Sequence, residues 1–320
     1  MTDPISLQNL SKVYRTPSII PWKRQRRIHA LREVSFSCPP SRISCLLGPN
    51  GAGKTTVLKI LSGLVLPDSG EARVFGIPLH RQSLDERSRI SLVSPNERSF
   101  YWRLTGRQNL EFFAALHGLK GSKRKIRVSE VLSSVELEEE SDKPFRLYSG
   151  GMKQKLLIAR ALLSEPEILL LDEPTIHLDP ATKTGIHRLI REQLLEEMGG
   201  TVLLCTHDLY EAEELSDHLI LLNEGKVLAE GTLASLRSRV RQPRFVIEFE
   251  RLPRHGWDKG LHLIHAREYG RQLEFSVQDS SVVPDVVTAF ISGGGRIINC
   301  HTREESLAEV FSRITSEDGS

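Results

Sequence analysis

Short, almost wholly apolar runs alternate with longer amphipathic stretches along most of this chain. ISCLL (43–47), EILLL (167–171) and TVLLC (201–205) carry very few polar positions. Continuous runs of this kind mark strands buried on both faces, as in a parallel sheet covered by helices. The first is followed by a glycine-rich turn and the helical pattern KTTVLKILSGL. The segment from about 105 to 165 is highly charged and mostly helical in pattern. Strand and helix in alternation predict an α/β domain. Flanking it, ISLQNL, VSFSC and EARVFG alternate with period two and predict further strands, and LILLNEGKVLAEG predicts a hairpin turning at Asn223-Glu224-Gly225.

After Arg239 the pattern changes. FVIEFE and LEFSV alternate as strands, VPDVVTAFISGG reads as a helix stopped by glycines, RIINCH as a strand and SLAEVFSRI as an amphipathic helix. The expectation is a main domain over 1–238 and a small ββαβα module over 239–320.

Composition narrows the class. A 320-residue chain with 26% charged and 39% hydrophobic residues is ordinary for a globular protein. Its net charge of +2 gives no sign of a nucleic-acid partner. No apolar run approaches the roughly 18 residues of a membrane helix, and MTDPISLQNL lacks a signal-peptide core. The expectation is a soluble, cytoplasmic chain that reaches a membrane only through a partner. Cys38, Cys45, Cys205 and Cys300 show no metal-like spacing and are expected to be reduced thiols.

The chemistry begins at Gly48-Pro49-Asn50-Gly51-Ala52-Gly53-Lys54-Thr55-Thr56, which fits GxxxxGK[ST] between a strand and a helix. Backbone amides of such a loop curl around phosphate, and the helix N-terminus adds partial positive charge. Lys54 is expected on the β- and γ-phosphates and the Thr55 hydroxyl on Mg²⁺. EILLLDE places Asp172 at a buried strand end, toward the same metal, with Glu173 beside it to take a proton from water. Ser149-Gly150-Gly151 opens a long helical run with a hydroxyl and open amides, a second anion site. One nucleotide does not need both sites, so two copies of the chain are expected to clasp ATP between them.

Together, GPNGAGKT, YSGGMKQ, LLLDEP, Leu178-Asp179 and Thr206-His207, in this order, resemble the nucleotide-binding subunit of an ABC transporter over residues 5–235. The resemblance implies a P-loop NTPase of the ABC ATPase fold: a RecA-like core, an antiparallel β subdomain and a helical subdomain bearing the signature, here followed by a small α+β module. It implies that Tyr14 stacks on adenine, Glu173 is the general base and His207 holds the γ-phosphate. Ser149, Gly150 and Gly151 would close on the ATP of a second subunit, with Asp179 at the dimer seam. Asn96 stands where the family carries a glutamine that touches nucleotide and Mg²⁺. Ile176-His177 replace a smaller pair at the seam, and Met152 replaces the commoner glutamine of the signature.

The C-terminal module and the lead-in to the helical subdomain resemble the drug- and lipid-export branch with ABC-2 type permeases. The implied partners are a separate transmembrane permease and a second ATP-binding subunit, identical or not, with the chain peripheral at the inner face of the cell membrane. A soluble ABC ATPase working on ribosomes or DNA is the alternative. Two features stay open. Phe100, Tyr101 and Trp102 are adjacent aromatics that cannot all enter one core; they form a permease groove or part of the core. WKRQRR (22–27) meets anionic lipid or is a solvated loop.

Overall fold

The computed structural model describes residues 3–15, 27–95, 99–197, 199–239, 244–253, 263–277, 280–303 and 305–318. Asn96 and most of the basic WKRQRR stretch lie outside them. Two compact units divide the chain, Met1–Leu233 and Ala234–Ser320.

The first unit holds two sheets. β1 (Ile5–Arg15), β2 (Arg27–Cys38), β4 (Ser69–Val74) and β5 (Ile77–Pro78) pair antiparallel in the order β2-β1-β4-β5. β3 (Ile43–Leu47), β6 (Ile90–Val93), β7 (Ile168–Asp172), β8 (Thr201–Thr206), β9 (His218–Asn223) and β10 (Lys226–Gly231) form the other, in the order β10-β9-β3-β8-β7-β6. Its pairings are parallel except for the β9–β10 hairpin. That hairpin turns at Glu224 and Gly225 with φ of 46° and 79°, the left-handed pair a two-residue turn requires.

Every residue of β3, β7 and β8 is buried, which is why these strands read as uninterrupted apolar runs. The core beneath them joins Leu46, Leu170, Leu203 and Ile220 to Val57, Leu58 and Leu61 of α1 (Lys54–Leu61) and to Ile5, Leu7 and Val34 of the antiparallel sheet. Because β3, β8 and β7 are neighbours, the chain leaves their carboxyl ends side by side. A ligand site belongs at that edge of an open α/β sheet.

The rest of the first unit is helical. α2 (Leu84–Ser88) is a short capped turn. α3 (Gly106–Leu116), α4 (Gly121–Ser134) and α5 (Gly150–Leu162) lie between β6 and β7 in sequence; α6 (Pro180–Leu189) and α7 (Leu209–Leu215) flank β8. α3 starts in a capping box between Thr105 and Gln108. Buried Asn109 binds the backbone of the turn before it. Its Oδ1 accepts from Tyr101 N at 2.8 Å, and its Nδ2 donates to Tyr101 O and Thr105 O at 3.1 and 2.9 Å. Gly106 is required where it stands: a Cβ there would sit 2.0 Å from the Tyr148 hydroxyl. That hydroxyl donates to Glu140 O at 2.9 Å, and burial pushes its pKa up to about 12.

α8 (Leu233–Arg239) leads into the second unit, built from β11 (Arg244–Arg251), β12 (Leu263–Tyr269), β13 (Gln272–Val277), α9 (Val283–Ser292), β14 (Arg296–Arg303) and α10 (Leu307–Asp318). Phe245, Ile247, Phe249, Leu273 and Phe275 on one face of the sheet β12-β13-β11-β14 pack against Val286 and Phe290 of α9. The unit is thus βββαβα. The strand absent from the sequence expectation is β12, whose LIHAREY lacks clean alternation and is recruited by pairing with β13 around Gly270 at φ 62°. Cys38, Cys45 and Cys205 are buried thiols, whereas Cys300 is exposed.

Candidate nucleotide site

The edge where β3, β7 and β8 end gathers most of the chemistry-bearing residues. Gly48 N donates to Thr206 O at 3.3 Å and Glu173 N to Cys205 O at 2.8 Å, so the three loops are stitched to one another. Gly53 enters α1 at φ 112°, a conformation L side chains rarely adopt, and a Cβ there would lie 2.5 Å from Ala30 O. Lys54 follows, nearly buried, its Nζ donating to Gly48 O at 2.7 Å and Pro49 O at 3.2 Å and lying 3.4 Å from Glu173 Oε1.

Thr55 Oγ1 donates to Asp172 Oδ1 at 3.2 Å. Asp172 is only 6% exposed. Burial pushes its carboxyl up and the neighbouring Glu173 adds to this, with Thr55 and Lys54 opposing. Thr55 Oγ1 and Asp172 Oδ1 make a hard oxygen pair with one further carboxylate, Glu173, beside it, and the nearby Lys54 does not offset the burial of Asp172. That donor set fits Mg²⁺ bound through few protein ligands and completed by phosphate and water.

Glu173 Oε2 lies 2.6 Å from Nδ1 of His207. Glu173 takes φ of 50° and His177 φ of 63°, so both ends of the turn after β7 sit in the left-handed region without glycine. Backbone strain of this type, about 1–3 kcal/mol per residue, persists where the surroundings over-determine it.

A cleft of about 370 Å³ joins these residues to the antiparallel sheet, lined by Tyr14, Ile28, Asn50, Lys54, Thr55 and Glu173 among others. Its walls include Gly51, Gly53, Thr56 and Asp172. Tyr14, on β1 opposite Ile28, is partly exposed with Lys12 Nζ 5.8 Å from its ring centroid. The ring therefore shares one hollow with the phosphate loop. Sequence reasoning missed Ile28, which faces the same hollow from β2.

Residues 31–176 match the family described as ABC transporter. Over 92% of this chain and 94% of the relative, the sequence is 35% identical to the daunorubicin resistance ATP-binding protein DrrA3 of Streptomyces coeruleorubidus. The chain belongs to the ABC transporter family. It is the ATP-binding subunit of such a transporter and an ATPase. Identity is 31% to a Nod factor export ATP-binding protein I of Burkholderia orbicola, across 98% of both chains. Among solved structures, the ATP-binding cassette MJ0796, a dimer in a post-hydrolysis state with ADP and Pi, superposes with a TM-score of 0.61 at 31% identity, covering 72% of this chain and 98% of that one.

Other predicted site residues of this ABC ATPase lie apart from the cleft. Ser149 caps α5, accepting from Met152 N at 3.2 Å, with Gly150 and Gly151 as the first turn of the helix. Asp179 caps α6, accepting from Thr182 N at 3.1 Å and Thr182 Oγ1 at 2.6 Å, and these bonds hold its carboxyl below the usual range. The aromatic trio divides. Phe100 is 3% exposed and packs on Phe113 and Phe145, whereas Tyr101 and Trp102 are 50% and 58% exposed. No helix among the described residues is long and apolar enough to cross a membrane.

Proposed function

We propose that the chain is one half of an ATP-driven clamp on an exporter. Two copies, or this chain and a similar one, would bury two ATP molecules. Each ATP would lie on Gly48–Thr56 and Tyr14 of one subunit and be capped by Ser149, Gly150 and Gly151 of the other, with Asp179 at the seam. The observation that carries this reading is the placement of Ser149. The helix start that Ser149 caps does not line its own subunit's phosphate cleft, which supports a use on another subunit's nucleotide.

Within each cleft, Thr55 and Asp172 would hold Mg²⁺, joined by Asn96, and the ion when bound neutralises charge on the phosphates. Lys54 exchanges its carbonyl partners and Glu173 for phosphate oxygens. That exchange frees the Glu173 carboxylate to accept the proton of the attacking water. His207 gives its Nδ1–H to Glu173, which leaves Nε2 to face the γ-phosphate; donation there requires the imidazolium. Closure held by the γ-phosphate is released on hydrolysis, and the clamp opens.

Export is supported by the relatives named for drug resistance and Nod factor export. The moving load is a separately encoded transmembrane permease, received where Tyr101 and Trp102 stand exposed above buried Phe100, with the chain held at the inner face of the membrane. Residues 1–238 form the ATPase domain and 239–320 an accessory one. The test is size-exclusion chromatography of Glu173→Gln with Mg-ATP. A stable dimer is expected; a monomer with undiminished hydrolysis overturns the clamp.

A further inference from the structure

α6 and α7 face each other through a ladder of opposite charges. Lys183, His187 and Arg191 recur every fourth residue, on α6 and its continuation over Ile190–Glu197, and so share one helix face. Lys183 Nζ is 2.9 Å from Asp208 Oδ2, and Arg191 Nη1 is 3.0 Å from Asp217 Oδ1. Between them His187 Nδ1 lies 2.9 Å from Glu214 Oε2 and Nε2 3.3 Å from Glu211 Oε1. Glu211 Oε1 also accepts the Thr175 hydroxyl at 2.7 Å.

The middle rung differs from its neighbours in two ways. It is 5% exposed, and histidine alone among the three can change charge near neutral pH. Both its ring nitrogens meet carboxylates. A neutral imidazole has one donor, so both contacts are satisfied only by the imidazolium. Burial opposes the charge, but the bonds to Glu211 and Glu214 outweigh it and hold the pKa above the ordinary histidine value. The groups around it are Lys183 and Arg191 on its own helix and Asp208, Glu211, Glu214 and Asp217 on and around α7. From β3 the Cys45 thiol feels Glu211, and burial raises that thiol's pKa so that it stays neutral.

The chain of contacts ends at the chemistry. Thr175 lies in the turn between Glu173 and Asp179, and α7 begins just after His207. We propose that His187 is a positioning residue of the ATPase cycle: as an imidazolium it clamps Glu211, and through the Thr175 hydroxyl it holds the Glu173–Asp179 turn against the helix that follows His207. The proposal rests on the reading of Glu173 and His207 as the catalytic pair. Loss of the proton removes one of the two donors, leaves buried Glu211 short of a partner, and lets the turn drift relative to His207. ATP binding, which uses the phosphate loop and Tyr14, is untouched.

The test is Mg-ATP hydrolysis by the full chain from pH 6 to 9, with ¹⁵N NMR of the histidine side chains. Wild-type His187 is expected to be doubly protonated at pH 7, and kcat to fall on the alkaline side together with its NMR titration. His187→Gln should lose about tenfold in kcat with KM for ATP unchanged, and lose the part of the alkaline limb that follows the His187 NMR titration, leaving any limb set by His207, since small displacements near a reacting centre cost this much or more. Glu214→Gln, a change at an exposed carboxylate that keeps the fold if His187→Gln does not, should move the kinetic limb and the NMR titration together to lower pH. A neutral His187 at pH 7, or wild-type kcat and pH profile in His187→Gln, overturns the clamp. Glu173→Gln separates the two readings: turnover retained there removes the catalytic pair, whereas its loss beside an indifferent His187→Gln removes the clamp alone.

Discussion

Glu173 Oε2 and His207 Nδ1 meet at 2.6 Å across the ends of two adjacent strands, β7 and β8. The two roles proposed for these residues, a base on water and a contact to phosphate, would therefore be joined in one hydrogen bond. The bond orients the carboxylate and, in the proposed mechanism, leaves Nε2 as the imidazole nitrogen for the nucleotide. Lys54, 3.4 Å from the other Glu173 oxygen, completes a triad in which a single carboxylate is shared by two cationic or potentially cationic partners.

The two residues should accordingly behave as a unit. Glu173→Gln and His207→Ala are each expected to lower kcat by about 10²-fold or more. The double variant should fall little further, because groups that act together lose their effect together. Steady-state hydrolysis across the double-mutant cycle checks this. Additive losses would mean that the bond is incidental to turnover.

Asp172 exhibits the tension between function and stability. Its carboxylate is buried beside Glu173 and held against its solvation preference. Asp172→Asn keeps an acceptor for Thr55 and removes the charge, so the nucleotide-free protein should gain roughly 1 kcal/mol. Mg²⁺-dependent hydrolysis should disappear in the same variant. Thermal melts in EDTA and assays with Mg-ATP read the two effects separately, and a lowered melting temperature would show that the charge is already compensated.

The aromatic trio offers a contrast within three residues. Phe100 is packed against Phe113 at 5.6 Å and Phe145 at 4.8 Å, so Phe100→Ala should cost about 3–5 kcal/mol. Tyr101 and Trp102 face outward, and Tyr101→Ala should leave the melting temperature and ATP affinity near wild type while weakening copurification of the membrane subunit. Unimpaired copurification would move the docking surface elsewhere.

The sequence made the phosphate loop, Asp172, Glu173 and Ser149 legible because each sits in a contiguous motif whose spacing is set by one strand end or one helix start. The hairpin at Glu224-Gly225 was legible for the same local reason. Long-range relationships were not. Thr175 and Glu211 are 36 positions apart, and His187 and Glu211 are 24 apart; only the fold, which brings the turn after β7 and α6 beside α7, makes them partners. Nothing local distinguishes His187 from a surface histidine except its four-residue spacing from Lys183 and Arg191. β12 was hidden because its partner strand, not its own pattern, defines it.

Two histidines, buried His187 and half-buried His218, should shape the pH dependence of stability from opposite sides. His187 has its folded pKa raised, so it contributes stability below the ordinary histidine value of about 6.5, lost as pH rises through the folded value. His218 is shifted down, chiefly by burial, with Glu230 opposing and its Nδ1 buried without a partner among the described residues. The unfolded chain therefore binds the His218 proton more readily than the folded one, and stability falls as pH drops below about 6.5. Denaturant unfolding from pH 5 to 9 should show a maximum between these limbs. His187→Gln should flatten the alkaline limb alone, and His218→Gln the acid limb alone. A variant that lowers the whole curve without changing its shape would show that its histidine does not change charge on folding.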